Sequence, residues 1–393
     1  MTKHQSKIEE LITRHCPKGV KFKEIGEICQ INRGRVMSKD YLRNNAGDYP
    51  VYSSQTGNEG VFGHIKTYDY DGEYVTWTTD GANAGSVFYH NGKFSITNVC
   101  GLLKPKENVL NTKYLLYSLG VIAKSYVNAG MGNPKLMSNV MEKIRIPLPP
   151  LVIQEEIVKI LNSFTELEAE LEAELEARSK QYIYYRDELL NVRDVECMSL
   201  GEIGTLIRGS GLPKTDFTDS GIGCIHYGQI YTYYGTFTNK TKSFVSKETA
   251  KKLKKVSTGD LIITSTSENI EDVCKAVAWL GDDEIVTGGH ATIFKHNENP
   301  KYLSYYFQTS FFSEQKRKYA KGTKVIDVSA KDLAKIKISL PSIKEQERIV
   351  SILDKFDALL NDISIGLPAE LKARRQQYEY YRDKLLTFNE YVS

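Results

Sequence analysis

The sequence predicts a mixed α/β (α+β) protein in which two globular regions alternate with two long helical arms. Three observations lead to this prediction: an internal repeat, a helical apolar pattern in each repeated block, and short β-prone runs between the blocks. The chain has 393 residues, of which 41% are hydrophobic and 26% charged. This is ordinary globular composition, and the length favours two or three domains.

The internal repeat consists of two pairs of matching segments. Residues 144–167 and 336–359 are identical at 12 of 24 positions, and residues 177–190 and 373–386 at 10 of 14. A shorter match lies upstream, where Arg33-Gly34 and Arg208-Gly209 follow similar Gly-Glu-Ile segments at the same spacing. The repeat predicts four segments, and these are a first domain 1–143, a first arm 144–198, a second domain 199–335 and a second arm 336–393.

Both arms are predicted to be long helices. Apolar residues of the first arm recur at spacings of three and four or their sum, as in a coiled coil. They are Ile157, Leu161, Phe164, Leu171, Leu175, Tyr182, Tyr185 and Leu189. In the second arm Gly366-Leu367-Pro368 interrupts the pattern. Because proline lacks the backbone N–H and clashes with the preceding turn, we expect a break or kink there.

The first arm contains a run of identical tetrapeptides. Thr165–Ala177 reads T-ELEA-ELEA-ELEA, with six glutamates and no basic residue. Each tetrapeptide adds about 6 Å of helix, so the run either sets the length of a spacer or is simply a stable, solvent-exposed helix.

The regions between the arms have the pattern of mixed α/β globules. Their β-prone runs, separated by Gly, Asn and Asp turns, are Glu73–Thr79, Leu261–Thr266 and Cys274–Leu280. Helix-like stretches cover Thr112–Val127 and Pro300–Lys318. Charge follows the same division, because residues 1–143 and 201–335 carry +5 and +4, whereas residues 144–200 carry −6. A nucleic-acid-binding surface is therefore expected on the globules.

Motifs of catalysis are missing from the sequence. No G-x-x-x-x-G-K-[ST] phosphate-binding loop occurs. Asn133-Pro134-Lys135-Leu136 lacks the second proline and the aromatic residue of the amino-methyltransferase motif. The six cysteines contain no C-x-x-C pair and the seven histidines show no ligand spacing. We therefore predict no catalytic residue and no metal site.

Polar loops and basic residues are the candidates for DNA contact. Asparagine, glutamine and arginine can pair with base edges, and lysines bind phosphates. The candidates of the first globule are Arg33, Arg35, Ser54, Gln55, Thr56, Asn58, Thr79, Asn83 and Lys135. Those of the second are Arg208, Tyr227, Gln229, Lys251, Lys252, Ser265, Thr266 and Lys324. Loops of this composition are also common on surfaces without any binding role.

The whole arrangement resembles the specificity subunit of a type I restriction-modification enzyme. The resemblance rests on P-L-P-P-L…Q-E-E-I-V-x-I-L and its copy S-L-P-S-I…Q-E-R-I-V-x-I-L, on the two Y-Y-R-D-x-L-L endings, and on the ELEA tetrapeptides. It implies two target recognition domains, each reading one half of a split DNA site, on arms that pair as an antiparallel coiled coil with a pseudo-two-fold repeat. Independently, the 37 residues from Gln154 to Leu190 would form a helix of about 55 Å, which corresponds to roughly 16 base pairs.

The resemblance also implies partners. They are double-stranded DNA, two methyltransferase subunits and restriction (motor) subunits, with no membrane. The chain itself would be non-catalytic and bind no cofactor, whereas S-adenosylmethionine, ATP and Mg would be used by partner subunits of an adenine methyltransferase and ATP-dependent endonuclease. Without an apolar run of membrane length or a signal-peptide core, we expect a cytoplasmic protein.

Two other classes of protein stay open at this point. One is a stand-alone DNA methyltransferase or nuclease, which the missing motifs disfavour. The other is a coiled-coil scaffold that binds only proteins, which the basic globules disfavour.

Overall fold

The computed structural model describes residues 3–106, 108–130, 132–361 and 366–391. The chain divides into two compact units, one formed by residues 1–172 with 371–393 and the other by residues 173–370. The division falls inside a helix, so each unit holds one globule and parts of both arms. The four-segment division follows the repeat instead, and it stays a prediction.

The first unit contains one large sheet. Its elements are α1 (Lys3–His15), β1 (Lys21–Glu24), α2 (Ile25–Ile28), β2 (Cys29–Arg33), α3 (Lys39–Asn44), β3 (Tyr49–Tyr52), β4 (Val61–Ile65), β5 (Tyr70–Thr78), β6 (Val87–Ile96), β7 (Cys100–Pro105), α4 (Thr112–Ile122), α5 (Ser138–Met141), β8 (Arg145–Leu148) and the first part of α6 (Leu151–Leu190), with 3-10 turns at Gly57–Gly60 and Ala123–Tyr126. Six strands pair in the order β2-β7-β5-β6-β3-β4, and β1 pairs with β8.

The core of the first unit lies where α4 covers the sheet. Strand β5, which includes most of the β-prone run 73–79, is buried from Tyr74 to Thr78. Trp77 shares this core with Tyr114 of α4, and its indole Nε1 donates to the Leu136 carbonyl at 2.9 Å. Opposite it, a Cβ on Gly101 would lie 2.2 Å from the Trp77 ring. Glycine is therefore needed there so that the tryptophan can lie flat on β7.

The second unit has two five-stranded sheets. After the end of α6 its elements are β9 (Cys197–Ser199), α7 (Leu200–Ile203), β10 (Gly204–Arg208), β11 (Phe217–Thr218), β12 (Ile222–Ile225), α8 (Tyr227–Thr232), β13 (Phe237–Thr238), β14 (Ser243–Val245), α9 (Lys247–Ala250), β15 (Lys254–Val256), β16 (Leu261–Thr264), β17 (Thr266–Ser267), β18 (Ala276–Trp279), β19 (Ile285–Thr287), β20 (Ala291–His296), α10 (Pro300–Tyr306), α11 (Ser310–Tyr319), β21 (Ile326–Asp327), α12 (Ala330–Leu333), β22 (Lys337–Ser339), α13 (Ile343–Asn361) and the start of α14 (Leu367–Leu386), with a 3-10 turn at Lys214–Asp216. The sheets run β10-β20-β16-β18-β13 and β11-β14-β12-β19-β15, and two further pairs are β17-β21 and β22-β9.

Both units place their first sheet strand in the same way. In the first unit β2 pairs antiparallel with β7, and in the second β10 pairs antiparallel with β20. The next strand inward, β5 or β16, lies antiparallel to that partner. The predicted pseudo-repeat therefore extends from the arms into the globules.

The arms are helical and the predicted interruption is confirmed. α6 runs unbroken for 40 residues. The second arm contains two helices, α13 and α14, and Gly366 before α14 is not helical. Leu367 and Pro368 begin the new helix, where a missing N–H costs nothing because the first turn has no intrahelical acceptor for it.

Antiparallel pairing of the helices is visible within the first unit. The ring of Phe164 lies 5.5 Å from that of Tyr381, whereas Glu168 and Glu172 bind the guanidinium of Arg375 at 2.6 and 2.5 Å. Numbers rise along α6 as they fall along α14, so the helices run in opposite directions. In the second unit Phe356 of α13 packs in the same way on Tyr185 of α6, with ring centroids 6.2 Å apart.

Among the described residues none of the helices combines the length and the apolarity needed to cross a bilayer.

Candidate nucleic-acid interface

An arginine ends the first sheet strand of each globule. Arg33 ends β2 and Arg208 ends β10. The glycines after these arginines have no room for a side chain, because a Cβ on Gly34 would lie 2.1 Å from the Ile96 carbonyl oxygen and one on Gly209 would lie 2.0 Å from that of Gly288. The repeated Arg-Gly pair thus marks the same turn in both globules. The surface around Arg33 in the first globule and around Arg208 in the second is called the sheet edge below.

Arg33 is anchored but not saturated. Its Nη2 donates to Thr79 Oγ1 at 3.2 Å and to the Asn98 carbonyl. Its Nε is buried, and no atom among the described residues accepts a hydrogen bond from it.

Arg35 lies on the same edge and is exposed. Its Nη1 donates to the Tyr41 hydroxyl at 3.1 Å and its Nε to Asp69 at 3.2 Å. The Tyr41 hydroxyl, and then the Asp69 carboxylate, raise the pKa of Arg35. The guanidinium is thereby held in one orientation.

The loop after β3 is closed by its own glutamine. Gln55 Nε2 donates to the Val61 carbonyl. The side-chain amide that was predicted to contact a base is therefore already hydrogen-bonded within its own loop. Asn58 and Glu59 have φ of 51° and 52°, so the tip is left-handed. Ser54 is half-buried, whereas Thr56 and Asn58 are exposed. Asparagine tolerates this backbone better than most residues, which explains its place at the tip.

A second loop completes the edge in the first globule. Lys135 pairs with Asn128 through two backbone hydrogen bonds of 3.1 and 2.9 Å, and its ammonium lies 3.7 Å from Asp80. An open cleft of 380 Å³ lies beside it, lined by Asn128, Gly130, Gly132, Asn133 and Lys135. Asn83, which follows Asp80 by three residues on the next turn, is exposed.

The corresponding edge of the second globule carries different side chains. Arg208 Nη2 donates to Asp327 at 2.7 Å. The ring of Tyr227 lies 5.1 Å from that of His290. Gln229 is engaged at both ends, since its Nε2 donates to Ser243 Oγ at 2.6 Å and its Oε1 accepts from the His226 N–H at 3.1 Å.

Three candidate hydroxyls are buried, which corrects their expected role. Thr79, Ser265 and Thr266 are 0%, 2% and 6% exposed. Ser265 Oγ binds Thr292 Oγ1 at 2.8 Å and Thr266 Oγ1 binds His290 Nδ1 at 2.9 Å. The sheet turns these hydroxyls inward, where they bond to other residues of the globule.

The candidate lysines of the second globule are exposed, but a lysine close to them in sequence is buried. Lys251, Lys252 and Lys324 are exposed. Lys316 is buried, donates to the carbonyls of Glu271 and Val273 at 3.0 and 2.8 Å, and has its pKa lowered by burial. The basic segment 316–324, which ends at the candidate Lys324, is therefore only partly a surface feature, because Lys316 of α11 anchors a loop.

The two edges share a backbone hydrogen bond at equivalent positions. The Leu136 N–H donates to the Thr79 carbonyl at 3.0 Å, and the Val328 N–H donates to that of Ser265 at 2.9 Å. Lys135 of the first edge therefore takes the place of Asp327 in the second. One framework thus presents opposite charges at one equivalent position.

Sequence reasoning missed the residues that organise these edges. Asp327 lies 119 residues from Arg208, and His290 is left-handed at φ 66° next to Tyr227. No local pattern marks either of them. Among the described residues no cluster of His, Cys, Asp or Glu could hold a metal ion.

The comparisons with known proteins agree with this architecture. A family model described as the type I restriction modification DNA specificity domain matches residues 17–177 and 192–373. A putative type I specificity subunit of Mycoplasma pneumoniae is 32% identical over 374 residues, covering 93% of this chain and 97% of that protein. A putative type I restriction enzyme specificity subunit of Haemophilus influenzae is 32% identical over 387 residues, covering 94% and 96%.

Solved structures show the same fold. The crystal structure of a type I restriction-modification S subunit from M. genitalium has a TM-score of 0.52 at 15% identity, covering 94% of this chain and 96% of that one. A chain from a structural study of type I restriction-modification complex assembly and conformational transition has a TM-score of 0.64 at 14% identity, covering 94% and 98%. Because the family model matches both halves and full-length relatives exceed 30% identity, this chain belongs to the type I restriction-modification specificity subunits, which give these systems their DNA sequence specificity.

Proposed function

We propose that the chain reads a bipartite DNA site, one half with each sheet edge, and brings methyltransferase and restriction subunits to it. The observation that carries this proposal is the duplicated edge. One backbone framework ends in Arg33 and again in Arg208, but it presents Lys135 in one copy and Asp327 in the other. A duplicated frame with changed side chains suits two half-sites of different sequence.

The candidates take different roles in this proposal. Guanidinium, amide and hydroxyl groups that reach the surface read base edges, and exposed lysines bind phosphates without reading sequence. The proposed readers are Arg33, Arg35, Arg208, Thr56, Asn58, Asn83 and Tyr227. The proposed phosphate contacts are Lys135, Lys251, Lys252 and Lys324. The remaining candidates support the loops that carry the readers, and they are Ser54, Gln55, Thr79, Gln229, Ser265 and Thr266.

Exposed apolar residues on the arms support two docking sites for one kind of partner. Tyr380 is 62% exposed and its repeat equivalent Tyr184 is 61% exposed. Leu167 and its equivalent Leu359 are 45% and 43% exposed. Folding does not require large apolar side chains in water, so their presence in both copies favours a shared partner. We assign them to two methyltransferase subunits, one per unit.

Substitution of the tyrosines tests this docking. Tyr184→Ser with Tyr380→Ser is expected to weaken methyltransferase binding at least tenfold, because aromatic anchors contribute strongly at interfaces. Tyr126→Ser is the matched control, since Tyr126 is 43% exposed but lies on a 3-10 turn of the first globule. Equal binding by both variants, measured by titration calorimetry, would assign the partner to another surface.

The chemistry is proposed to reside in the partners. S-adenosylmethionine would serve the methyltransferase subunits, and ATP with Mg the restriction subunits. Mapping methylated adenines in DNA treated with the full complex tests the main proposal, and we expect two short sequences separated by a fixed gap. The pure chain alone should neither methylate nor cleave. A single continuous site, or activity of the chain by itself, would contradict the proposal.

A further inference from the structure

Each arm helix is joined to its globule by a buried glutamine, and this joint occurs twice. Gln154 of α6 accepts from the Asn111 N–H at 2.8 Å and donates to the Pro149 carbonyl at 2.8 Å. Gln346 of α13 accepts from the Asn299 N–H at 3.0 Å and donates to the Pro341 carbonyl at 2.9 Å. Both glutamines are completely buried.

The asparagines carry the connection onward into the globules. Asn111 Oδ1 caps α4 by accepting from the Tyr114 N–H at 3.1 Å, and Asn299 Oδ1 caps α10 by accepting from the Tyr302 N–H at 3.1 Å. The arm helix is thus hydrogen-bonded to the residue that starts the helix of the globule. A change in the angle of one helix must break these bonds or move the other helix.

Two tyrosines in each globule complete the joint. Tyr114 donates to the Pro147 carbonyl and Tyr302 to that of Ser339, each at 2.9 Å. One turn later, Tyr117 donates to Asn162 Oδ1 at 2.8 Å and Tyr305 to Asp354 Oδ1 at 2.9 Å. Each globule is therefore held to its arm at two separate turns of the arm helix, by Gln154 and Asn162 or by Gln346 and Asp354.

A second sequence repeat underlies this geometry. Asn111-Thr-Lys-Tyr-Leu-Leu-Tyr117 and Asn299-Pro-Lys-Tyr-Leu-Ser-Tyr305 share the pattern N-x-K-Y-L-x-Y. It occurs inside globules that otherwise diverge. The recognition edges changed between the copies, whereas the joints kept their glutamine, asparagine and tyrosines, and only the acceptor of the second tyrosine changed, from Asn162 to Asp354.

We propose that these two joints determine how strictly the protein discriminates the gap between its half-sites. The proposal rests on the bipartite reading proposed above. A globule of this size carries its loops about 20 Å from the joint, so a rotation of about 10° moves them by about one base-pair step of ~3.4 Å. Only a joint stiffer than this can reject a gap that is one base pair too long. Gln154, Tyr117, Gln346 and Tyr305 are thus positioning residues that touch no base.

Removal of the hydrogen bonds at the two joints tests this proposal. Tyr117→Phe with Tyr305→Phe removes one hydrogen bond per joint and keeps both rings, and Gln154→Met with Gln346→Met removes the deeper contact. Tyr234→Phe is the matched control, because its hydroxyl accepts from the Lys242 N–H at 2.7 Å within the second globule. The probes are duplexes that carry both mapped half-sites with the native gap, one base pair fewer or one more. The full complex methylates them, and the melting temperature of each variant is recorded.

The expected result is a loss of gap preference without a loss of half-site discrimination. The joint variants should lose at least about tenfold of their preference for the native gap, while discrimination against single changes within either half-site stays as in the parent and in Tyr234→Phe. An unchanged gap preference in folded joint variants would overturn the proposal. Parallel loss of half-site discrimination would also overturn it, because the joint would then belong to the fold of the reading edge. A parent complex that ignores the gap would instead refute the bipartite reading.

Discussion

At the scale of single residues, the two edge arginines are held in different ways. Arg208 is neutralised by Asp327 at 2.7 Å, whereas Arg33 is held by a hydroxyl and a carbonyl, and its buried Nε has no acceptor in the part of the chain that the structure describes. If these arginines read bases as proposed, a base that binds Arg208 displaces a carboxylate, whereas a base that binds Arg33 displaces none. The two proposed half-sites should therefore respond differently to salt and to substitution.

Substitution of Arg208 tests its role in reading. Arg208→Ala should cost about 1–3 kcal/mol of discrimination at one position of one half-site and leave the other half-site unchanged. Methylation of a library of single-base variants measures this. Arg348→Ala is the control, because Arg348 is an arginine of the second arm that pairs with Glu345, three residues away. A uniform loss over all sequences, with a weaker salt dependence, would show that Arg208 contacts a phosphate instead.

His90 makes the first unit sensitive to acid. Its ring stacks on Tyr52 at 3.6 Å, its Nε2 binds Thr76 Oγ1 at 2.9 Å, and burial lowers its pKa to about 4. The folded state therefore holds His90 neutral, while the unfolded chain takes up a proton near pH 6.5. The stability from this group is complete above pH 6.5 and is lost as the pH falls toward 4, by roughly 3 kcal/mol.

Urea unfolding at pH 7 and pH 4.5 checks this. In a Trp279→Phe background Trp77 reports on the first unit, because the chain has only two tryptophans. His90→Phe should flatten the pH dependence, whereas His64→Gln, at an exposed position, should not. An identical slope in both variants would assign the acid sensitivity to other groups.

At the scale of elements, the ELEA run has a regular relation to its partner helix. Arg375 of α14 binds Glu168 and Glu172, which are four residues apart. Deletion of residues 170–173 places Glu176 four residues after Glu168, so an equivalent carboxylate pair persists. Leu167 and Leu175 likewise come to lie four apart. Helical pairing is therefore expected to survive the loss of one tetrapeptide.

The deletion should change only the gap. It shortens α6 by about 6 Å and rotates the part of the helix beyond the deletion by about 40°. One base pair is ~3.4 Å along the duplex, so the gap should shrink by one or two base pairs with both half-sites unchanged. Methylation mapping measures this, with Glu170→Gln as a control of native length. A native gap at full activity would show that the run is only a solvated helix.

At the scale of the whole molecule, each globule belongs to a unit with its own core. The buried residues around Trp77 and those around Phe294 form separate clusters. Each sheet edge is built from residues of one unit alone. Independent replacement of the globules is therefore physically reasonable.

Exchange of one globule tests that independence. Replacement of residues 20–143 by the first domain of another specificity subunit should change one half-site and keep the other. The replacement should retain Asn111, Tyr114 and Tyr117, so that the joint to α6 persists. Simultaneous change of both half-sites, seen by methylation mapping, would contradict independent reading.

The sequence by itself determined the duplication, the long arms and the interruption before Pro368. These features depend on local rules, namely the helical period, the repeat and the backbone chemistry of proline. The repeated Arg-Gly pair also predicted an equivalent position in the two globules, and Arg33 and Arg208 do end equivalent strands.

Only the tertiary structure decided which of the marked side chains reach the surface. Thr79, Ser265 and Thr266 are buried because strands and helices distant in sequence close over them. Asp327 meets Arg208 across 119 residues, and Gln154 meets Asn111 across 43. A polar residue in a loop has the same local sequence whether it faces water or a neighbouring strand, so its exposure and its partner are fixed only when the sheet is assembled.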